Sequence, residues 1–174
     1  SGGRAEFPVL GVAGTRLLIH SNAQIIRPYN RLMDQANGRA GGNNLIGATG
    51  RGIGPADADK MNRIGLRIQD LFHPEELRAK VEAALAPKNT IFEAVDIPTL
   101  DPNEVSDHLL SFADRIPPML CDVSLVVPHA LDRGDPVLLQ GGPAPILDLH
   151  PGTYPLVTSP TPTPGTPPPR FSPT

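Results

Sequence analysis

Between Gly47 and Pro55 the chain reads Gly-Ala-Thr-Gly-Arg-Gly-Ile-Gly-Pro. Glycines at 47, 50, 52 and 54 allow neighbouring backbone N–H groups to converge on one anion, and the Thr49 hydroxyl can add a hydrogen bond. Pro55 is expected to begin a helix, whose positive end would then face the loop. Charge-assisted bonds of this kind contribute ~1.5–3 kcal/mol each. No Gly-Lys-Ser/Thr follows, so this is not a Walker A loop, and no strand directly precedes a GxGxxG pattern, so it is not a dinucleotide fingerprint. On residue types alone it is either a phosphate cradle or a structural turn. Lys60 and Arg63 follow at i and i+3 on a helix read over Ala56–Arg63, where they share a face. That face is either a solvated basic surface or a second anion contact. At helical rise Arg63 stands ~12 Å along the axis from the loop. It would reach an anion held by Thr49 more easily in a second chain than in its own.

Other reactive side chains form no pattern. His20, His73, His108, His129 and His150 are scattered, without the spacing of a metal site or a dyad. No local motif supports Ser/His/Asp catalysis, and no metal ligands are assigned. Cys121 is the one cysteine, which excludes an internal disulfide and reads as a small core residue.

The elements that must position the loop are legible in part. Leu17–Ser21 is an apolar run closed by polar residues, a buried strand. Pro28 opens a helix through Tyr29–Met33 that stops by Asn37-Gly38. The helix after the loop ends near Gly65. Pro74 begins a helix with Glu75 and Glu76 in its first turn and Leu77, Val81 and Ala84/Leu85 at helical spacing, and Pro87 is expected to end it. Asp101-Pro102-Asn103-Glu104 reads as a capping box opening a helix that buries Val105, Leu109, Phe112 and Ile116 and stops before Pro117. Ser124–Leu131 is apolar but interrupted by Pro128, and remains helix or strand. Val137–Leu139 reads as a buried strand entering the Gly141-Gly142 loop. Few strands separated by helices indicate an α/β fold.

Residues 1–15 are unpatterned, residues 16–159 form the domain, and residues 160–174 are a Pro-rich tail expected to be extended and solvated. Of the chain's 22 prolines, 11 lie between Pro143 and Thr174. The 174 residues can bury a core, and its apolar members must be mainly aliphatic because aromatics are 4% and Trp is absent. A net charge of −3 gives no long-range attraction to nucleic acid or an anionic membrane. No apolar run approaches the ~20 residues that span a bilayer, and residues 1–8 do not form a secretory signal.

Two blocks resemble the adenylosuccinate synthetases. Their Gly-Ile-Gly-Pro-x-Tyr-x-x-Lys-x-x-Arg signature is matched by Gly52-Ile53-Gly54-Pro55 through Lys60 and Arg63, with Asp57 in the tyrosine position. Their His-Gly-Thr-Tyr-Pro-Phe-Val-Thr-Ser block is matched by Gly152-Thr153-Tyr154-Pro155-Leu156-Val157-Thr158-Ser159, with Pro151 in the histidine position. Leu66–Phe72 is similar as well, so the resemblance covers most of the chain from about Leu17 to Ser159. It implies an internal segment of a partial three-layer, P-loop-NTPase-like α/β fold with an incomplete, mainly parallel sheet.

The resemblance further implies a purine-biosynthesis ligase, cytoplasmic and homodimeric. It joins L-aspartate to IMP by phosphorylating the IMP carbonyl oxygen with GTP and Mg²⁺ and then displacing that phosphate with the aspartate amine. Thr49 and Thr158 would contact IMP, Arg63 would reach the IMP phosphate held by the partner subunit, and Lys60 is the signature lysine. The family's N-terminal phosphate loop, its aspartate base and magnesium ligand, its phosphate-transfer histidine and its aspartate- and guanine-binding region have no counterparts here. The isolated chain is therefore expected to be inactive. The alternative is a non-catalytic remnant that binds a nucleotide phosphate or only dimerises. Ala48 replaces a family threonine, and Pro143, Pro145, His150, Pro151 and Pro160 replace glutamine, threonine, aspartate, histidine and serine. Those five changes are each one base away from the family residue, the pattern of sequence error or decay. An incomplete sheet with open edges predicts weak stability.

Overall fold

The computed structural model describes residues 17–41, 50–138, 144–149 and 152–159. Strand β1, Ile19–His20, pairs in parallel with β2, Leu120–Cys121; Ile19 lies opposite Leu120 and His20 opposite Cys121. Parallel neighbours need a long crossover, and here the crossover carries most of the body. It contains helices α1 (Pro28–Gly41), α2 (Ile53–Met61), α3 (Pro74–Ala94) and α4 (Pro102–Leu110), and α5 (Val123–Asp132) follows β2. Short 3-10 turns occupy Ile68–Phe72, Ala113–Arg115, Pro117–Met119 and Pro145–Leu147. The expected α/β character is present, with a parallel pair as its sheet. The pair is only half-buried, and Leu18 beside it is exposed, so the buried strand read at Leu17–Ser21 is both shorter and more open than expected.

Helix α3 is the spine. Leu77, Val81, Ala84, Leu85 and Phe92 recur at helical spacing and are all buried, against Tyr29 and Ala36 of α1 and Val105 and Leu109 of α4. The expected stop at Pro87 does not occur: α3 runs through it to Ala94. Proline in a helix interior costs ~3 kcal/mol, through one lost hydrogen bond and crowding of the previous turn. Burial of Phe92 alone offsets ~1.5–3 kcal/mol of this, and buried Lys88 gains the ion pair described below. Asn89 then ties the following loop by exchanging two hydrogen bonds with the backbone of Leu100, at 2.9 and 3.0 Å.

Asp101 caps α4 by accepting the Asn103 N–H at 2.7 Å. The helix ends at Leu110, sooner than expected, and Phe112 and Ile116 sit half-buried beside the 3-10 turns beyond. Helix α1 runs past the expected stop at Asn37-Gly38 to Gly41. The undecided stretch around Pro128 is helix α5, opened by Asp122, and none of its side chains is buried. Val137 and Leu138 form no strand, and Leu138 is 90% exposed. An extended run becomes a strand only where a partner supplies its ladder, and the described sheet holds just β1 and β2. Leu139 and the two terminal stretches, 1–15 and 160–174, lie outside the described residues.

Candidate functional site

Helix α2 carries candidate residues at both ends. At its start Gly52 is the N-cap, with φ 82°. A Cβ there would stand 2.9 Å from the Arg31 nitrogen and the Asn30 carbonyl carbon, so only glycine lets the loop lie this close to α1. The Gly52 N–H donates to Asp34 Oδ2 at 2.6 Å. A carboxylate of the chain itself therefore occupies one amide of the glycine loop, where the helix dipole favours an anion. Gly50, with φ 66°, and Gly54 have open space around them. Gly47, Ala48 and Thr49 lie outside the described residues. The helix starts at Ile53, so Pro55 stands in its first turn but not at the first position.

One turn along, Asp57 accepts a hydrogen bond from Ser159 Oγ at 2.7 Å. The contact spans 102 positions and brings the segment containing Thr158 against α2. Thr158 is half-buried, and its N–H donates to the Leu147 carbonyl at 2.8 Å, while the Thr153 N–H donates to Ile146 at 3.0 Å. The structure thus places Thr158 near the helix that the glycine loop opens. Pro143, His150, Pro151 and Pro160 lie outside the described residues.

The far end of α2 corrects one expectation. The helix stops at Met61 with Asn62 as C-cap, and Arg63 is left-handed at φ 62°. The Arg63 N–H donates to the Lys60 carbonyl at 3.1 Å and the Ile64 N–H to the Asp59 carbonyl at 2.9 Å. These two bonds form a Schellman turn, whose left-handed position is usually glycine. Lys60 and Arg63 therefore do not share a helical face. They meet instead around a cleft of about 350 Å³, lined also by Gln24, Arg67, Asp70 and Lys80. Asp70 is engaged by Lys80 Nζ at 2.7 Å and by the Arg67 N–H at 2.8 Å. Arg67 Nη1 donates to Asn22 Oδ1 at 3.2 Å. Lys60 and Arg63 are exposed and make no ion pair among the described residues, which leaves the cleft positive. Arg63 still stands at the opposite end of α2 from the glycine loop.

Sequence reasoning passed over what lies beneath this end. Asp59 is 4% exposed and holds Arg27 Nη2 at 2.5 Å, Lys88 Nζ at 2.9 Å and Asn30 Nδ2 at 2.9 Å. Arg27 Nε also donates to Asn30 Oδ1 at 2.9 Å, and Arg27 Nη1 to the Ile64 carbonyl at 3.3 Å. Tyr29 lies beneath both cations, with Arg27 4.7 Å and Lys88 5.4 Å from its ring centre. Burial pushes the Tyr29 hydroxyl up to about 12, against the pull of the Arg27 guanidinium. The one available signal was the spacing of Ala56 and Asp59, three apart, which share the buried face of α2.

His20 does meet a carboxylate: its Nε2 lies 3.4 Å from Asp122 Oδ1 at the ends of the paired strands. Asp122 is already committed to opening α5, accepting from Ser124 N at 2.9 Å and Ser124 Oγ at 2.5 Å. Those bonds, more than His20, hold its carboxyl below the usual carboxylate value. Among the described residues no three His, Cys, Asp or Glu side chains converge on a metal position. No described helix is long and apolar enough to cross a membrane.

Comparison with known proteins gives one consistent family. The family model described as adenylosuccinate synthetase matches residues 6–167. The chain is 50% identical over 150 residues to the adenylosuccinate synthetase of Kineococcus radiotolerans, covering 86% of this chain and 35% of that protein. It is 47% identical over 156 residues to the Bifidobacterium adolescentis enzyme, covering 89% and 36%. A solved structure of fully ligated adenylosuccinate synthetase from Plasmodium falciparum superposes with a TM-score of 0.75 at 25% identity, covering 92% of this chain and 38% of that one. The chain thus spans about a third of the length of the relatives it matches.

Proposed function

The chain belongs to the adenylosuccinate synthetase family, and from that premise we propose that it is the IMP-phosphate-holding segment of a ligase. That ligase joins L-aspartate to IMP with hydrolysis of GTP, in the cytoplasm and as a homodimer. The IMP phosphate sits against the loop of Gly47, Thr49, Gly50, Gly52 and Gly54, with Thr158 closing on it from the segment that Ser159 ties to α2. Arg63 serves the other subunit: its guanidinium offers a bidentate fork to the phosphate held by the partner's loop. Lys60 adds a point charge beside it.

The observation that carries this is the placement of Arg63. It is exposed, without an ion pair among the described residues, and at the opposite end of α2 from the loop of its own chain. Mg²⁺ belongs to the family's phosphate transfer. The described residues do not fit it, because no three candidate ligands converge among them.

Titration calorimetry with IMP tests the proposal. Saturable binding is expected, weakened by about tenfold or more in Arg63→Ala through loss of charge-assisted bonds. An Arg63→Ala chain that binds IMP as the parent does would end the assignment. No turnover is expected from the isolated chain with IMP, GTP, Mg²⁺ and aspartate, and measurable product would overturn that expectation. One observation favours a second possibility, a remnant that dimerises without ligand: Asp34 already occupies the Gly52 amide. A dimer in sedimentation with no heat on IMP addition would decide for it.

A further inference from the structure

The Schellman turn at the end of α2 puts a side-chain-bearing residue where glycine is the usual occupant. Arg63 holds φ 62°, a region that costs any residue with a Cβ free energy and persists only where the surroundings over-determine it. Two groups do so. The Asp59 carbonyl accepts the Ile64 N–H at 2.9 Å, and Arg27 Nη1 donates to the Ile64 carbonyl at 3.3 Å. The residue after Arg63 is therefore held at both its N–H and its C=O. These two holders are bound to each other, because the Asp59 carboxylate accepts Arg27 Nη2 at 2.5 Å. Lys88 and Asn30 complete the carboxylate's bonds from α3 and α1, so the latch is anchored in two other helices.

The guanidinium geometry matters. Arg27 is 1% exposed and uses three separate nitrogens: Nε on Asn30, Nη2 on Asp59 and Nη1 on Ile64. A lysine could neutralise Asp59, but as a compact point donor it could not hold all three in this planar arrangement. The charge and the latch are therefore separable.

We propose that Arg27, acting with Asp59, is a positioning residue for Arg63: the buried ion cluster holds the left-handed turn that presents the Arg63 guanidinium to solvent and to a second chain. The consequence for IMP rests on the function proposed above, whereas the consequence for the turn does not.

The test is made on the full 174-residue chain, comparing Arg27→Lys, Arg63→Ala and the double variant by IMP titration and by amide hydrogen exchange. Arg27→Lys should speed exchange of the Ile64 N–H about tenfold while the buried Leu85 amide keeps its rate. It should weaken IMP binding about tenfold, and in the Arg63→Ala background it should weaken IMP no further. Unchanged exchange at Ile64 overturns the inference, as do IMP losses that multiply in the double variant. If the parent chain itself fails to bind IMP, the proposed function falls, and the Ile64 exchange alone decides the latch. Should Arg27→Lys not fold, Arg27→Lys/Arg63→Gly is the second variant. Glycine needs no latch at this position, so restored folding supports the inference and continued failure overturns it.

Discussion

From Arg27 to Leu110 the helices close on one another: Tyr29, Leu66, Leu77, Leu85 and Phe92 are almost wholly inaccessible, and even Arg27, Asp59 and Lys88 are buried with their partners. Among the described residues from Leu120 to Ser159, large apolar side chains face outward. Leu125 and Leu131 of α5, Leu138, Ile146, Tyr154 and Leu156 are all exposed, although α5 is the more apolar helix by composition. The difference lies in what each region has to pack against. Helices α1 and α4 pack on α3 and α2 packs on α1, whereas among the described residues α5 has no comparable partner and the segment after it is tied to α2 through Ser159 and Asp57. The relatives are about two and a half times as long. Apolar patterning predicts that a segment wants a partner, and it cannot supply one.

The sharpest way to break this contrast is to damage both regions in the same way. Asp59→Ala leaves two buried cations without their carboxylate and should cost ~3–5 kcal/mol in a urea melt. Leu85→Ala should cost ~2–5 kcal/mol by leaving a cavity. Leu131→Gln, on an exposed position of α5, should stay within ~0.5 kcal/mol. Comparable losses in both regions would mean that α5 is packed in solution.

The ion cluster gives a pH signature of its own. Burial raises the Tyr29 hydroxyl from 10.0 to about 12, so between those values the unfolded chain releases a proton that the folded chain keeps. Stability that is whole below pH 10 then falls as pH rises toward 12, by ~2–3 kcal/mol in total. Tyr29→Phe should remove this alkaline loss without harming the fold at neutral pH, since the hydroxyl has no hydrogen-bond partner among the described residues. A parent and variant with the same alkaline melting curve would show that Tyr29 is not buried as described.

Gly52→Ala should cost ~1–3 kcal/mol by thermal melt, since the methyl must enter the α1 backbone at a left-handed φ. A neutral result would mean that the loop stands farther from α1. The smallest effect belongs to the exposed region. Asp122 is held below its ordinary 3.8 by Ser124, so its cap contributes above that value and is lost as pH falls through the depressed one. Asp122→Ala should shorten α5 and lower helical circular dichroism slightly while leaving the main unfolding transition in place. A shifted main transition would join α5 to the core.

Parts of the site were legible because they depend on local chemistry. Glycine at 52 is demanded by a turn, Pro74 and the two glutamates announce a helix start, and the spacing of Leu77, Val81 and Leu85 marks one face. The stop at Pro87 was misread because burial of Lys88 and Phe92 beyond it outweighs one lost hydrogen bond. Val137–Leu139 was misread because a strand is a relation between two segments. The left-handed Arg63 left no mark, since an arginine in the middle of a signature looks like a helical residue.

Within Ala56-Asp57-Ala58-Asp59-Lys60 the sequence by itself determined a short polar helix with charges at alternating places, and the family signature that identifies it. Only the tertiary structure decided which charge is which. Asp59 faces α1 and α3 and becomes the buried centre of four residues, Asp57 turns toward Ser159, and Lys60 borders an open cleft. A helix sets the angle between neighbouring side chains through its own 3.6-residue repeat. The direction from which other helices arrive decides which of them lose their water.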